Sequence, residues 1–241
     1  MSSSIYSHTL GEFFVGALLL AGALLVWGGH ASALPPASQG SAVAEDTPWA
    51  ESIAAFAAAD LKNTPSPGGV VFVGSSSIRL WSDLETQLTG ARGILNRGFG
   101  GARISDCTRY VERVVFPYAP RLIVVYAGEN DLAEGSQPKD VFNEFVRFVE
   151  RVRKTLPATR IQYISIKPSP ARAGLIASIR ETNGLIRQFV TSGSNLEFID
   201  VFTPMLDDAG RPRGELFQAD ALHLNSAGYK LWAAVIAPGV R

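Results

Sequence analysis

Asp220-Ala221-Leu222-His223 sets a carboxylate three residues ahead of an imidazole. Within one turn of chain the carboxylate can accept the Nδ1–H, which fixes the tautomer and leaves Nε2 free as a base. A pair of this spacing also occurs as a purely structural contact. His223 carries extra weight because the other two histidines, His8 and His30, fall in an N-terminal segment of different character. Chemistry that needs several imidazoles is thereby excluded from the rest of the chain, and any histidine base is His223.

Such a base would serve a nucleophile. Gly74-Ser75-Ser76-Ser77-Ile78-Arg79 follows an apolar run. A serine at a strand-to-helix turn can expose its hydroxyl with helical N–H groups nearby, or it can simply cap the helix. The G-x-S-x-G elbow of α/β-hydrolases is absent, because Ile78 stands where its second glycine would be. Asn96-Arg97-Gly98-Phe99-Gly100-Gly101-Ala102-Arg103 is either a glycine-rich turn or a loop whose backbone N–H groups face a ligand. A dinucleotide fingerprint counted from Gly98 ends on Arg103 instead of glycine. Gly128-Glu129-Asn130-Asp131 is a capped turn or an amide donor held at a sheet edge. Together these segments supply a nucleophile, a base, an orienting carboxylate and oxyanion donors, in the chain order Ser…Asp…His.

Five short apolar runs, at 69–74, 94–99, 122–127, 161–166 and 196–201, must position these groups. Continuous runs of this length suit strands buried on both faces of a parallel sheet. The intervening segments suit helices. Val141, Phe145, Phe148, Val149 and Val152 recur at three- and four-residue steps among charged residues. Asn225 is placed to cap a last helix through Tyr229, Leu231, Trp232 and Ile236. Strand–helix alternation predicts an α/β domain with right-handed crossovers, whose ligands bind beyond the carboxyl ends of the strands. The candidate residues all follow apolar runs or precede the last helix.

Length and composition bound the reading further. A chain of 241 residues with 46% hydrophobic and 18% charged residues suits one folded domain, or at most two. The formal net charge of +0 argues against a nucleic-acid partner. A single cysteine, Cys107, excludes an intramolecular disulfide and a Cys-based zinc site. Residues 13–27 (FFVGALLLAGALLVW) form an uncharged 15-residue run, shorter than the ~20 residues of a membrane span and suited to the h-region of a signal peptide. Ala31-Ser32-Ala33 has the small-x-small form of a cleavage site, although no Lys or Arg precedes the run. Residues 1–33 are therefore read as a signal peptide or a membrane anchor. Residues 34–47 read as a Pro/Ser/Ala-rich linker and 48–241 as the domain. Both readings of the first segment export that domain. Without residues 1–33 the chain keeps 22 basic and 21 acidic residues, so the charge argument stands.

The four blocks, over about residues 69–237, resemble the SGNH hydrolases, also called the GDSL lipase/esterase family. The nucleophile block corresponds to Gly74 through Ser77, with Ser76 two after the glycine. The N-x-G-x-x-G block corresponds to Asn96 through Gly101, the G-x-N-D block to Gly128 through Asp131, and the D-x-x-H block to Asp220 through His223. The resemblance implies a three-layer, flavodoxin-like α/β sandwich with a five-stranded parallel sheet, and ester or thioester hydrolysis through an acyl-enzyme. It implies Ser76 as nucleophile, His223 as base and Asp220 as its orienter. Gly101 and Asn130 become oxyanion donors. No metal or organic cofactor is implied.

Family members often carry Asp and Leu on either side of the nucleophile, where this chain has Ser75 and Ser77. These two are expected to hydrogen-bond locally or face solvent. The substrate reading is a small-molecule or carbohydrate ester with a short acyl or acetyl group. The alternatives are a lysophospholipase or thioesterase with a longer acyl groove, and a non-catalytic ligand-binding module. Loops 132–138, 168–178 and 203–219 are expected to line the site, with Arg172, Arg211 and Arg213 merely solvated.

Overall fold

The computed structural model describes residues 48–240; the signal or anchor segment and all of the linker to residue 47 lie outside them. The elements run α1 (Ala50–Lys62), β1 (Val70–Gly74), α2 (Ser76–Arg79), α3 (Leu84–Gln87), β2 (Ile94–Gly98), α4 (Ile104–Val114), β3 (Leu122–Tyr126), α5 (Glu129–Ala133), α6 (Pro138–Thr155), β4 (Arg160–Ile164), α7 (Ile176–Ser192), β5 (Leu196–Ile199) and α8 (Ser226–Val240). Each strand falls on one of the five apolar runs.

All strands pair in parallel, in the order β2-β1-β3-β4-β5. Alternate residues of a strand point to opposite faces, so each strand feeds two cores. Val71, Val73, Ile123, Val125, Ile161 and Tyr163 pack on one face with Tyr110 and Val111 of α4, Phe145 and Phe148 of α6, and Ile186 of α7. Val70, Phe72, Leu122, Val124, Tyr126 and Ile164 pack on the other with Ile78 of α2, Leu84 of α3, and Trp232 and Ile236 of α8. The result is the expected three-layer, flavodoxin-like α/β sandwich. Its stability rests on this burial, at roughly 1.5–3 kcal/mol for each fully buried large apolar side chain.

The α6 positions 141, 145, 148, 149 and 152 are all buried, as their spacing predicts. Asn225 caps α8, its Oδ1 accepting the N–H groups of Ala227 at 2.9 Å and Gly228 at 3.1 Å. The expectation of strands buried on both faces fails at both sheet margins, at β2, where Leu95 and Asn96 are half-buried, and more fully at β5. β5 was expected to be buried on both faces, but it is an edge strand whose four residues are all half-buried. An apolar run tells that a segment is a strand, not how many neighbours it has.

The strand order sets the place of the site. From β1 the chain steps to β2 on one side and then to β3 on the other. In a sheet of this order the reversal opens a crevice at the carboxyl ends of β1 and β3. Ser76 follows β1 and Asn130 follows β3.

Candidate active site

At the end of β1 the chain passes very close to β3. A Cβ on Gly74 would lie 2.0 Å from the Tyr126 carbonyl oxygen, so only glycine fits. Ser75 then donates its N–H to the Tyr126 carbonyl at 3.0 Å and becomes the N-cap of α2, although its side chain makes no capping hydrogen bond. Ser76 is the first residue of that helix, where backbone N–H groups have no intrahelical acceptor. The glycine block holds this helix from below: Asn96 donates Nδ2–H to the Ile78 carbonyl at 2.7 Å and accepts the Gly98 N–H at 3.0 Å.

Three of the five candidate residues form one line. Ser76 Oγ lies 3.0 Å from His223 Nε2, and His223 Nδ1 lies 2.6 Å from Asp220 Oδ2. The other Asp220 oxygen accepts the N–H groups of Leu222 at 3.0 Å and His223 at 2.9 Å. The His223 hydrogen bond, followed by those two N–H groups, holds the Asp220 carboxyl well below the usual carboxylate range. An ionised Asp220 accepts Nδ1–H, so Nε2 carries the lone pair facing the serine.

The other two candidates lie on the segments that follow β2 and β3. Gly101 has φ +75°, and a Cβ there would meet nothing within 4 Å. The loop before it is held by Trp49, whose indole N–H bonds the Gly100 carbonyl at 2.8 Å. Asn130 donates one Nδ2 hydrogen to the Ala102 carbonyl at 3.1 Å, which ties the β3 and β2 loops together. Its amide has a second hydrogen to offer. Of the two settings expected for Ser75 and Ser77, a local hydrogen bond or solvent, solvent does not hold: they are 2% and 1% exposed, and Ser77 Oγ is buried without a hydrogen-bond partner. Tyr229 of α8 donates its hydroxyl to the Ser77 carbonyl at 3.0 Å. Ser76 is thus the serine of the three that meets the imidazole.

Sequence reasoning missed a buried charged cluster beside Asn130. Lys167, just past β4, pairs with Glu129 of α5 while only 1% exposed. Glu129 also accepts the Tyr126 hydroxyl at 2.8 Å and the Ser169 hydroxyl at 3.3 Å. Burial alone would push the Glu129 carboxyl up, but the charges of Lys167 and Arg172 outweigh it and bring it below its ordinary value. Burial lowers the Lys167 ammonium. Arg172 corrects the solvated-arginine expectation. Its Nη1 stands 3.6 Å from Glu129, and its Nη2 donates to Asn130 Oδ1 at 3.1 Å. Arg211 and Arg213 also have partners, Asp207 and Glu215, at exposed positions. The one available signal was a lysine and an arginine close behind an apolar strand, but neither type announces burial. Among the described residues no group of three or more His, Cys, Asp or Glu side chains could hold a metal ion.

Asp131 closes the loop network from the other side. Its Oδ1 accepts the Ile104 N–H at 3.3 Å, while Oδ2 is buried without a hydrogen-bond partner. Burial pushes this carboxyl up to about 6 from an ordinary 3.8. The folded chain therefore holds the proton that the unfolded chain loses. Stability is expected to fall as pH rises from 3.8 to about 6. Above that window the bare carboxylate costs on the order of 3 kcal/mol. Asp131→Asn keeps an acceptor for Ile104 and removes the charge, so its Tm should lose much of this decline between pH 4 and 7. Thermal melts across that range check it; a variant with the wild-type profile would assign the decline to other groups.

The family model described as GDSL-like lipase/acylhydrolase matches residues 39–231. The chain belongs to this family. It is an ester hydrolase, on the family's activity, and the sheet and its flanking helices are those of solved family members. A GDSL-like lipase from Bacteroides thetaiotaomicron VPI-5482 is 18% identical, with a TM-score of 0.66 over 78% of this chain and 96% of its own. A protein from Streptococcus pneumonia named as a candidate platelet activating factor is 22% identical, with a TM-score of 0.70 over 79% and 92%. A carbohydrate esterase family 3 protein from Talaromyces cellulolyticus is 18% identical, with a TM-score of 0.58 over 71% and 95%. Among curated proteins none matches. At these identities the solved GDSL-like hydrolases support the fold, while the family model carries the activity.

Proposed function

We propose that this GDSL-like hydrolase is exported and removes short acyl groups, acetyl above all, from small-molecule or carbohydrate esters, with Ser76 as nucleophile. The observation that carries the reading is the hydrogen-bonded line Ser76–His223–Asp220, at 3.0 and 2.6 Å. His223 Nε2 takes the hydroxyl proton as Ser76 Oγ attacks the ester carbonyl. The negative charge moves to the carbonyl oxygen, which the N–H groups of Ser76 and Gly101 and the Asn130 amide receive. Collapse breaks the bond to the alcohol, which leaves with the proton from His223. Water then attacks the acyl-enzyme by the same proton transfers, freeing the acid and restoring Ser76.

Room for a large leaving group is supported by the exposure of the site at its histidine end. The His223 and Asp220 side chains are 25% and 46% exposed. Such a rim admits a bulky alcohol such as a sugar without a deep channel. The acetyl esters of p-nitrophenol should be cleaved with a higher kcat/KM than the octanoyl esters, and Ser76→Ala should remove both activities. A preference for octanoyl would replace this reading with a long acyl groove.

Export is supported by the 15-residue apolar run at 13–27 and by Ala31-Ser32-Ala33. The mature chain is expected to begin at Leu34. Intact-mass measurement of the exported protein checks this, and a full-length chain in the membrane fraction would mean an uncleaved anchor.

A further inference from the structure

The Asn130 amide has two ends of nearly equal size, one a donor and one an acceptor. An oxyanion needs the donor end. Something must therefore keep the amide from turning over, and two contacts bear on this. The Ala102 carbonyl takes one Nδ2 hydrogen at 3.1 Å, and Arg172 Nη2 donates to Oδ1 at 3.1 Å. Turned over, the amide would set its own hydrogens against the guanidinium, donor against donor.

Arg172 is itself held in place. Its Nη1 is buried, has no hydrogen-bond acceptor and stands 3.6 Å from Glu129 Oε1. Glu129 is occupied by Lys167, Tyr126 and Ser169, so it cannot swing away. The backbone adds a second restraint. Arg172 donates its N–H to the Ser169 carbonyl at 3.1 Å, and Ala171 donates to the Ala221 carbonyl at 3.0 Å. One short segment thus joins the loop after β4 to the Asp220–His223 loop and to the oxyanion amide. Its charges do not cancel: two cations, Lys167 and Arg172, face one carboxylate, Glu129.

We propose that Arg172 is a positioning residue of the oxyanion site. Backed by the buried Glu129–Lys167 pair, it fixes the donor end of Asn130 toward the crevice and sets positive charge behind the point where negative charge develops. Charge placed in advance where negative charge develops favours the transition state over the ground state. The guanidinium reaches the substrate only through Asn130, so its loss acts on turnover and leaves ground-state binding alone. The proposal rests on Asn130 being an oxyanion donor.

The test has a spectroscopic arm and a kinetic arm. The side-chain ¹⁵N–¹H signals of Asn130, identified by their loss in Asn130→Asp, should shift and broaden in Arg172→Met. Unchanged signals in a folded variant would overturn the proposal without reference to turnover. In kinetics, Arg172→Met should lower kcat about 10–100-fold, as for losing one charged hydrogen bond, with KM held within about 3-fold. Arg172→Lys, which keeps the charge but not the fork, should recover part of the loss. Asn130→Ala should lower kcat about 10²–10³-fold. Adding Arg172→Met to Asn130→Ala should then cost little more, since the arginine acts through that amide. A raised KM with unchanged kcat would make Arg172 a substrate-binding cation instead, and losses that multiply in the double variant would remove the link to Asn130. If Arg172→Met does not fold, Arg172→Lys carries the same comparisons. Should Ser76→Ala keep turning over ester, the nucleophile assignment fails, while the Asn130 signals still decide the role of Arg172.

Discussion

Ser76→Ala is expected to abolish ester turnover, with kcat lower by about 10⁶-fold, the scale for removing the nucleophile of a serine–histidine unit. The same is expected of His223→Ala. The two side chains share one proton transfer across 3.0 Å, and no other described histidine could stand in. With the nucleophile gone the base has nothing to activate. The double variant should therefore be little worse than either single one. Independent, multiplying losses would falsify the pairing. A fluorophosphonate probe gives a second readout, labelling Ser76 in the wild type and nothing in Ser76→Ala. The neighbouring serines provide the internal control. Ser75 and Ser77 are buried at 2% and 1% exposure, so Ser75→Ala and Ser77→Ala should keep the label. Labelling lost in one of those and retained in Ser76→Ala would move the nucleophile.

The second large effect belongs to Asp220→Asn, expected to lower kcat by up to about 10⁴-fold with little loss of stability. The two carboxylate oxygens do separate jobs. One accepts the N–H groups of Leu222 and His223 and shapes the loop, and the other accepts His223 Nδ1–H at 2.6 Å. An asparagine can keep its oxygen on the backbone N–H groups. Its NH₂ then faces Nδ1 and forces that nitrogen to accept. The proton moves to Nε2, which can no longer take one from Ser76. Turnover and thermal melting measured on one preparation separate the two jobs. A variant with normal kcat would show that the loop alone orients the imidazole. Loss of Tm in parallel with kcat would make Asp220 chiefly a fold residue.

The chain displays its local relationships plainly. A run such as Val70–Gly74 or Leu122–Tyr126 can bury that many consecutive apolar side chains only as an inner strand, so the parallel sheet is legible before any contact is known. Asn225 caps α8 through hydrogen bonds two and three residues ahead. Asp220 reaches His223 three residues on. Each of these depends on a few adjacent torsions, which residue type and spacing constrain directly. The Ser76–His223 contact spans 147 residues and became visible early only because four blocks occur in a recognisable order.

What remained was decided by the tertiary structure. That β5 is an edge strand depends on which strand lies beside it. That Trp49 holds the Gly100 carbonyl depends on where α1 is placed against the glycine loop. The charged trio of buried Glu129 and Lys167 with half-buried Arg172 was the least legible of all. A charge in a sequence is rightly expected in water, because burying one alone costs several kcal/mol. Here the penalty is offset by partners from the ends of two different strands, and only the assembled sheet brings them together. By itself, then, the amino-acid sequence determined the elements, their alternation and the chemistry at each strand end. Tertiary packing decided which of three serines meets the imidazole, because Ser75 and Ser77 are buried while Ser76 faces His223, and which charges stand beside the Asn130 amide.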